Sequence, residues 1–253
     1  EYHCAYQHWL KSTEEVKQKD PQASWKEIHK ICGECPWPQP VGWQSPFRPN
    51  GLHETMIRRI APYSLRGFLY YQGEEDVQRY ADYSDMMLML VKQWRMDWND
   101  WNLPFLFVQL PMYLADGEKD DSYWALQREQ QYIASMMIQN AGMISLADCG
   151  EYDNIHPLDK KTPGERLFQL AKNLVYDKQG TITATAAQLF SDDGKLYVTF
   201  DHLHEKLVMQ TANGCPFEIS GEDNLFYPAK ADVIHGNMLC ISNPAVKFPS
   251  AVK

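Results

Sequence analysis

Three short apolar runs alternate with three helical patterns between residues 65 and 176, and this order constrains the fold more than any other feature of the chain. The runs cover residues 65–72, 104–110 and 142–148. Each is short and apolar, the first two rich in aromatic residues, and each reads as a buried strand. The first is followed by Tyr80, Tyr83, Met87, Leu90, Val91 and Trp94 at three- and four-residue spacing, which predicts one long helix to about Trp98. A methionine stripe of this kind reads as core packing rather than a cofactor site. Helices are also predicted over residues 123–140 and 163–176. The last opens on Thr162-Pro163-Gly164-Glu165, read as a capping box with Pro at the first helical position. Strand and helix in strict alternation predict an α/β fold, a parallel sheet covered by helices on both faces.

The flanks differ in character. Residues 1–47 read as a helical and Pro-rich excursion, with helices over 5–18 and 24–31 and then a Pro- and Trp-rich loop over 36–43. Residues 48–180 form the α/β core. Within it, Arg48-Pro49-Asn50-Gly51 precedes a helix with Met56, Ile57, Ile60 and Ala61 on one face. From residue 181 to 253 the pattern becomes β-branched and alternating. Turn signals at Asp192-Asp193-Gly194, Asn213-Gly214 and Gly236-Asn237 predict a small antiparallel β module.

Hydrophobic residues make up 44% of the 253 and aromatics 13%, enough for a packed core, so disorder is not expected. A formal charge of −9 argues against nucleic acid as a partner, because phosphate binding needs a basic face. No apolar run reaches the length of a membrane span, and the opening residues do not read as a signal peptide. The six cysteines are scattered, and Cys32-Gly33-Glu34-Cys35 lacks a second pair to complete four zinc ligands. Free thiols and a cytoplasmic location are the expectation, with no metal bound.

Two loops at the carboxyl ends of predicted strands carry the candidate chemistry. In Glu151-Tyr152-Asp153-Asn154-Ile155-His156-Pro157, an Asp three residues before a His can orient that imidazole as a general base. The plain alternative is a surface loop with a turn-forming Asp and an incidental His. In Tyr71-Gln72-Gly73-Glu74, an amide beside a glycine can donate to an oxyanion while the backbone approaches closely. Each motif is weak alone; in this order, on these elements, they point to two thirds of an acyl-transfer site.

At these residues the sequence resembles the sialate O-acetylesterase family of the SGNH hydrolases, with related acetylxylan and acetylmannan esterases. The resemblance runs from about Arg48 to the C-terminus. It includes Asn50-Gly51, the two loops above, Trp94-Arg95, Phe107-Val108-Gln109-Leu110, Trp124, Arg128-Glu129 and Gln131, with Phe217-Glu218-Ile219-Ser220-Gly221 in the β module. It implies a three-layer α/β/α SGNH-hydrolase-like sheet and a carbohydrate O-acetylesterase that needs no metal or organic cofactor. His156 would be the general base, Asp153 its orienting carboxylate and Gln72 an oxyanion donor. Glu74 would be a buried carboxylate pinning the loop.

The chain departs from the family in one respect. The family's nucleophile is a Ser in a Gly-Gln-Ser-Asn segment followed by a glycine-bearing oxyanion loop, and neither is present here. The nearest string, Gly42-Trp43-Gln44-Ser45-Pro46, lies in the Pro-rich excursion. The expectation is therefore a sheet incomplete at its N-terminal side, with the Ser supplied by an upstream segment or a separate chain. The other expected partner is an acetylated carbohydrate, and a second copy of the chain is a further candidate. Two rivals stand beside this reading: a non-catalytic carbohydrate-binding or structural fragment of the same fold, and a zinc deacetylase built on His156, Asp153 and Cys32/Cys35.

Overall fold

A computed structural model describes residues 1–36, 40–45, 47–114, 123–182, 184–203, 205–209 and 217–253. The Asn213-Gly214 turn signal, the acidic segment 115–122, Cys215 and the centre of the Pro- and Trp-rich segment lie outside them. The chain divides into two compact units, Glu1–Tyr63 and Ser64–Lys253.

In the first unit, α1 (Tyr2–Lys19) and α2 (Trp25–Cys32) pair through aromatic rings, with Trp9 parallel to Trp25 at 6.4 Å between centroids. Helix α2 starts on a reciprocal cap: Glu27 N donates to Ser24 Oγ, and Ser24 N donates to Glu27 Oε2. Ile28 is completely buried. Farther on, a π-helical turn (His53–Ile57) leads into the single turn α3 (Arg58–Ile60). The apolar face expected here is not covered, since Met56 and Ile60 are both more than half exposed.

The second unit begins with the predicted parallel sheet, in the order β1 (Phe68–Tyr70), β2 (Phe105–Gln109), β3 (Ala141–Ser145). Phe68 pairs with Phe105 and Gln109 with Ser145, both in parallel register. Cover on both faces of β2 explains why Phe105-Leu106-Phe107-Val108 is apolar without alternation. Phe105 and Phe107 pack against α4 (Tyr83–Asp97) and α5 (Tyr123–Met137), with Met87, Val91, Ala134 and Ile138. Leu106 and Val108 face the other way, onto Leu167 and Leu170 of α6 (Lys161–Leu174). The result is the three-layer α/β/α arrangement. Gly142 lets α6 come close, because a Cβ there would lie 2.5 Å from Leu174 Cδ1.

Two elements differ from expectation. The single helix predicted after the first strand is a 3₁₀ segment, Glu74–Asp82, bent at Arg79, followed by α4. The N-cap position of α6 is Lys160 rather than Thr162, and the carboxylate of Asp159 just before it accepts the amides of Lys161 and Thr162, each at 3.0 Å. The helix therefore starts earlier, and Pro163 falls within its first turn.

The antiparallel module follows as two sheets, β4–β5–β9–β8 and β10–β6–β7. Their spans are β4 (Thr185–Asp192), β5 (Lys195–Asp201), β6 (Glu218–Ser220), β7 (Tyr227–Pro228), β8 (Lys230–Ile234), β9 (Met238–Ser242) and β10 (Ala251–Val252). Leu196, Ile219, Leu239 and Ile241 form its core. Asp193 and Gly194 both take positive φ between β4 and β5, the two-residue hairpin the sequence signals. Among the described residues no helix is long and apolar enough to cross a membrane.

Candidate active site

The loop leaving β1 is organised around Gln72. Its Oε1 accepts from Tyr70 Oη at 3.1 Å, and its Nε2 donates to Asp76 Oδ2 at 2.6 Å. Its backbone carbonyl accepts from Tyr83 Oη at 3.0 Å and from Gln131 Nε2 at 3.2 Å. The completely buried Gln131 also accepts the Leu110 amide at 2.9 Å, so one α5 side chain joins the ends of β1 and β2. Gly73 follows at φ 148°, where a Cβ would sit 3.0 Å from Gln131 Nε2 and 3.1 Å from Gln127 Nε2. A glycine is thus required for α5 to lie against the loop. Hydrogen bonds from Tyr83 and Gln131, with the Asp76 carboxylate accepting from Gln72, hold this loop. Glu74 is half-buried, and among the described residues its carboxylate makes no side-chain hydrogen bond that would pin the loop.

Burial, and secondarily the Asp76 and Glu74 charges, pushes the Tyr70 phenol up to about 12. Tyr71 is also pushed up to about 12, by burial first and then by Glu74 and Cys149. Both phenols therefore stay protonated at neutral pH and remain available as donors. Beside Tyr70 and Gln72 opens a cavity of about 450 Å³, walled on the other side by Tyr83, Met86, Met87 and Leu90. It borders β1, which among the described residues is an edge strand.

The loop leaving β3 is anchored at its start by Arg166 of α6. The guanidinium donates to Ser145 O at 2.6 Å and grips Asp148 in a bidentate pair at 2.7 and 2.6 Å. That grip holds the Asp148 carboxyl down at about 2. Farther along, Glu151 Oε1 accepts the Leu158 amide and its Oε2 accepts from Asn154 Nδ2, both at 2.7 Å. Asn154 Oδ1 in turn accepts the His156 amide at 3.0 Å. Asp153 and His156 are both exposed, and among the described residues no hydrogen bond joins the Asp153 carboxylate to the His156 ring.

Both loops lie at the carboxyl edge of the sheet, with β2 between their strands. Tyr71 links them: it is close enough to feel Glu74 on its own loop and Cys149 on the other, and Lys160 Nζ lies 5.3 Å from its ring centre. The loop after β2 joins as well, since Leu114 N donates to Tyr152 O at 2.8 Å. Ser45 belongs to the other unit, where it is buried and its Oγ accepts the Phe47 amide. Cys32 and Cys35 carry free thiols. Among the described residues no three His, Cys, Asp or Glu side chains gather as a metal-binding group.

A parallel three-layer α/β unit joined to an antiparallel module is a fold of SGNH-hydrolase type. Residues 40–173, just over half of the chain, match the sequence profile of the family described as "Carbohydrate esterase, sialic acid-specific acetylesterase", and the chain belongs to that family. It is 27% identical over 196 residues to the sialate O-acetylesterase of Mus musculus, covering 69% of this chain and 36% of the relative. Against the Homo sapiens sialate O-acetylesterase the figures are 25% over 208 residues, 74% and 39%. Its fold is similar to the crystal structure of a carbohydrate acetylesterase from Xanthomonas citri, with a TM-score of 0.71 and 32% identity over 79% of this chain and 47% of that one. The chain thus spans less than half the length of each of these relatives.

Proposed function

We propose that this chain is part of a carbohydrate O-acetylesterase working through an acetyl-enzyme intermediate, in which His156 is the general base. The observation that carries the reading is the placement of Gln72 and His156 on loops at the same edge of a parallel sheet, where open α/β folds bind their ligands. In this scheme the Ser Oγ of an upstream segment attacks the acetyl carbonyl carbon while His156 takes its proton. Asp153 orients the imidazolium, by a turn of the exposed His156 ring toward its carboxylate. Gln72 Nε2 keeps a second N–H beyond the one given to Asp76, and this proton is directed at the oxyanion. Collapse of the tetrahedral intermediate releases the sugar hydroxyl, which recovers the proton from His156. Water then attacks the acetyl-Ser with His156 again as base, giving acetate and free Ser.

The upstream segment is read as seating along the outer edge of β1, an edge strand among the described residues, beside Gln72 and the 450 Å³ cavity. An acetylated sugar is the substrate class, in line with the names of the relatives. One observation favours a non-catalytic fragment instead, the missing bond between Asp153 and His156. A serine-directed fluorophosphonate separates the two readings. Stoichiometric labelling of the upstream-extended chain, lost when His156 is replaced by Ala, is the expected result. No labelling of the extended chain would favour the non-catalytic reading.

A further inference from the structure

We infer that Glu151 is a positioning residue for His156, acting through the side-chain amide of Asn154. The inference rests on the reading of His156 as general base. Glu151 uses both carboxylate oxygens, one on Asn154 Nδ2 and one on the Leu158 amide, each at 2.7 Å. Asn154 Oδ1 passes the constraint to the His156 amide at 3.0 Å, and Asn154 N donates to Glu151 O at 3.1 Å. His156 is therefore held from two residues before and two residues after, while its ring takes part in none of these bonds.

The polarity of the relay is fixed at both ends. A carboxylate only accepts and a backbone N–H only donates, so Asn154 fits in a single orientation. Flipping its amide would set donor against donor at His156 and acceptor against acceptor at Glu151. The Leu158 amide first, then the Asn154 amide and the Lys160 charge, hold the Glu151 carboxyl below the usual range, so it is ionised at neutral pH. Upstream of the relay, the Arg166–Asp148 pair fixes the start of the same loop.

Donor–acceptor logic supplies the test. In Glu151→Gln the new amide can still accept from Leu158, but its N–H₂ faces Asn154 Nδ2, and no orientation of Asn154 satisfies both neighbours. In Asn154→Asp, two carboxylates face each other. The double variant Glu151→Gln/Asn154→Asp restores every joint: Gln donates to Asp, and Asp accepts the His156 amide. Net charge then equals that of the parent protein. Two readouts apply: amide hydrogen exchange at His156 and Leu158 in the chain itself, and kcat and KM on an acetyl ester for the upstream-extended chain. Each single variant is expected to speed exchange and lower kcat about tenfold or more, with KM little changed, as for loss of a charge-assisted hydrogen bond. The double variant should recover to within about threefold of the parent, a coupling that independent sites would not give. Singles that leave exchange and kcat at parental values, or a double variant no better than the worse single, would overturn the inference. Unchanged turnover in His156→Ala would instead sink the functional reading, and the positioning role with it.

Discussion

Gln131 of α5 donates its side-chain amide to the backbone carbonyl of Gln72, 59 positions away in sequence, at 3.2 Å. The same side chain accepts the Leu110 amide, so the ends of β1 and β2 depend on one buried residue. Replacing Gln131 by Leu leaves the Leu110 amide buried without that acceptor, which costs about 1–3 kcal/mol. Urea unfolding of the chain should show stability lower by that amount, read as a lower midpoint at unchanged slope. An unaltered midpoint would mean that the loop is held by something else.

The Asp148–Arg166 pair predicts an acid limit for the order of the β3 loop. The Asp148 carboxyl is lowered from 3.8 to about 2 in the folded chain. A depressed carboxyl stabilises the fold above its unfolded value, and the contribution is lost as pH falls from about 4 to about 2. The Asp148 side chain is largely exposed, so solvent screening limits the pair to about 0.2–1 kcal/mol. The stability difference between the parent and Asp148→Asn should therefore be present at pH 6 and gone near pH 2. A difference that persists unchanged at pH 2 would contradict the ion pair as its source.

The alternation of strands and helices was legible because β2 is buried on both faces, so Phe105-Leu106-Phe107-Val108 has no polar position to obscure it. The ends of elements were harder to read. Strand β1 pairs with β2 over three residues, Phe68–Tyr70, within the longer apolar run read over 65–72. The sequence points to a cap at Thr162, but the Asp159 carboxylate takes the first two amides of the helix and its start moves back to Lys161. In the site, the spacing of Asp153 and His156 was visible, as were Gln72 and Glu74. The roles of Asp76, Gln131 and Arg166 were not, because each depends on a fold that brings distant or bent segments together. Glu151 and Asn154 stood within the motif, but a loop closing over seven residues leaves no periodic signal. The Asn154-x-His156 turn is the one local cue that could have found it.

Among the described residues β1 is an edge strand, and Leu69 at its centre is 64% exposed. Such an edge is a template for association with another strand. Leu69→Lys should reduce self-association of the chain in sedimentation velocity and leave its unfolding midpoint within about 0.5 kcal/mol of the parent. If the variant associates as strongly as the parent, the β1 edge is not the surface that pairs.

The central claim is that the imidazole on the β3 loop moves the proton in an acetyl-transfer reaction. The most direct measurement is kcat/KM for an acetylated sugar with the upstream-extended chain, parent against His156→Ala. A loss of about 10²–10⁴-fold is expected, the usual contribution of a positioned general base, with the purified variant unfolding at the parental midpoint. Turnover within about twofold of the parent would contradict it.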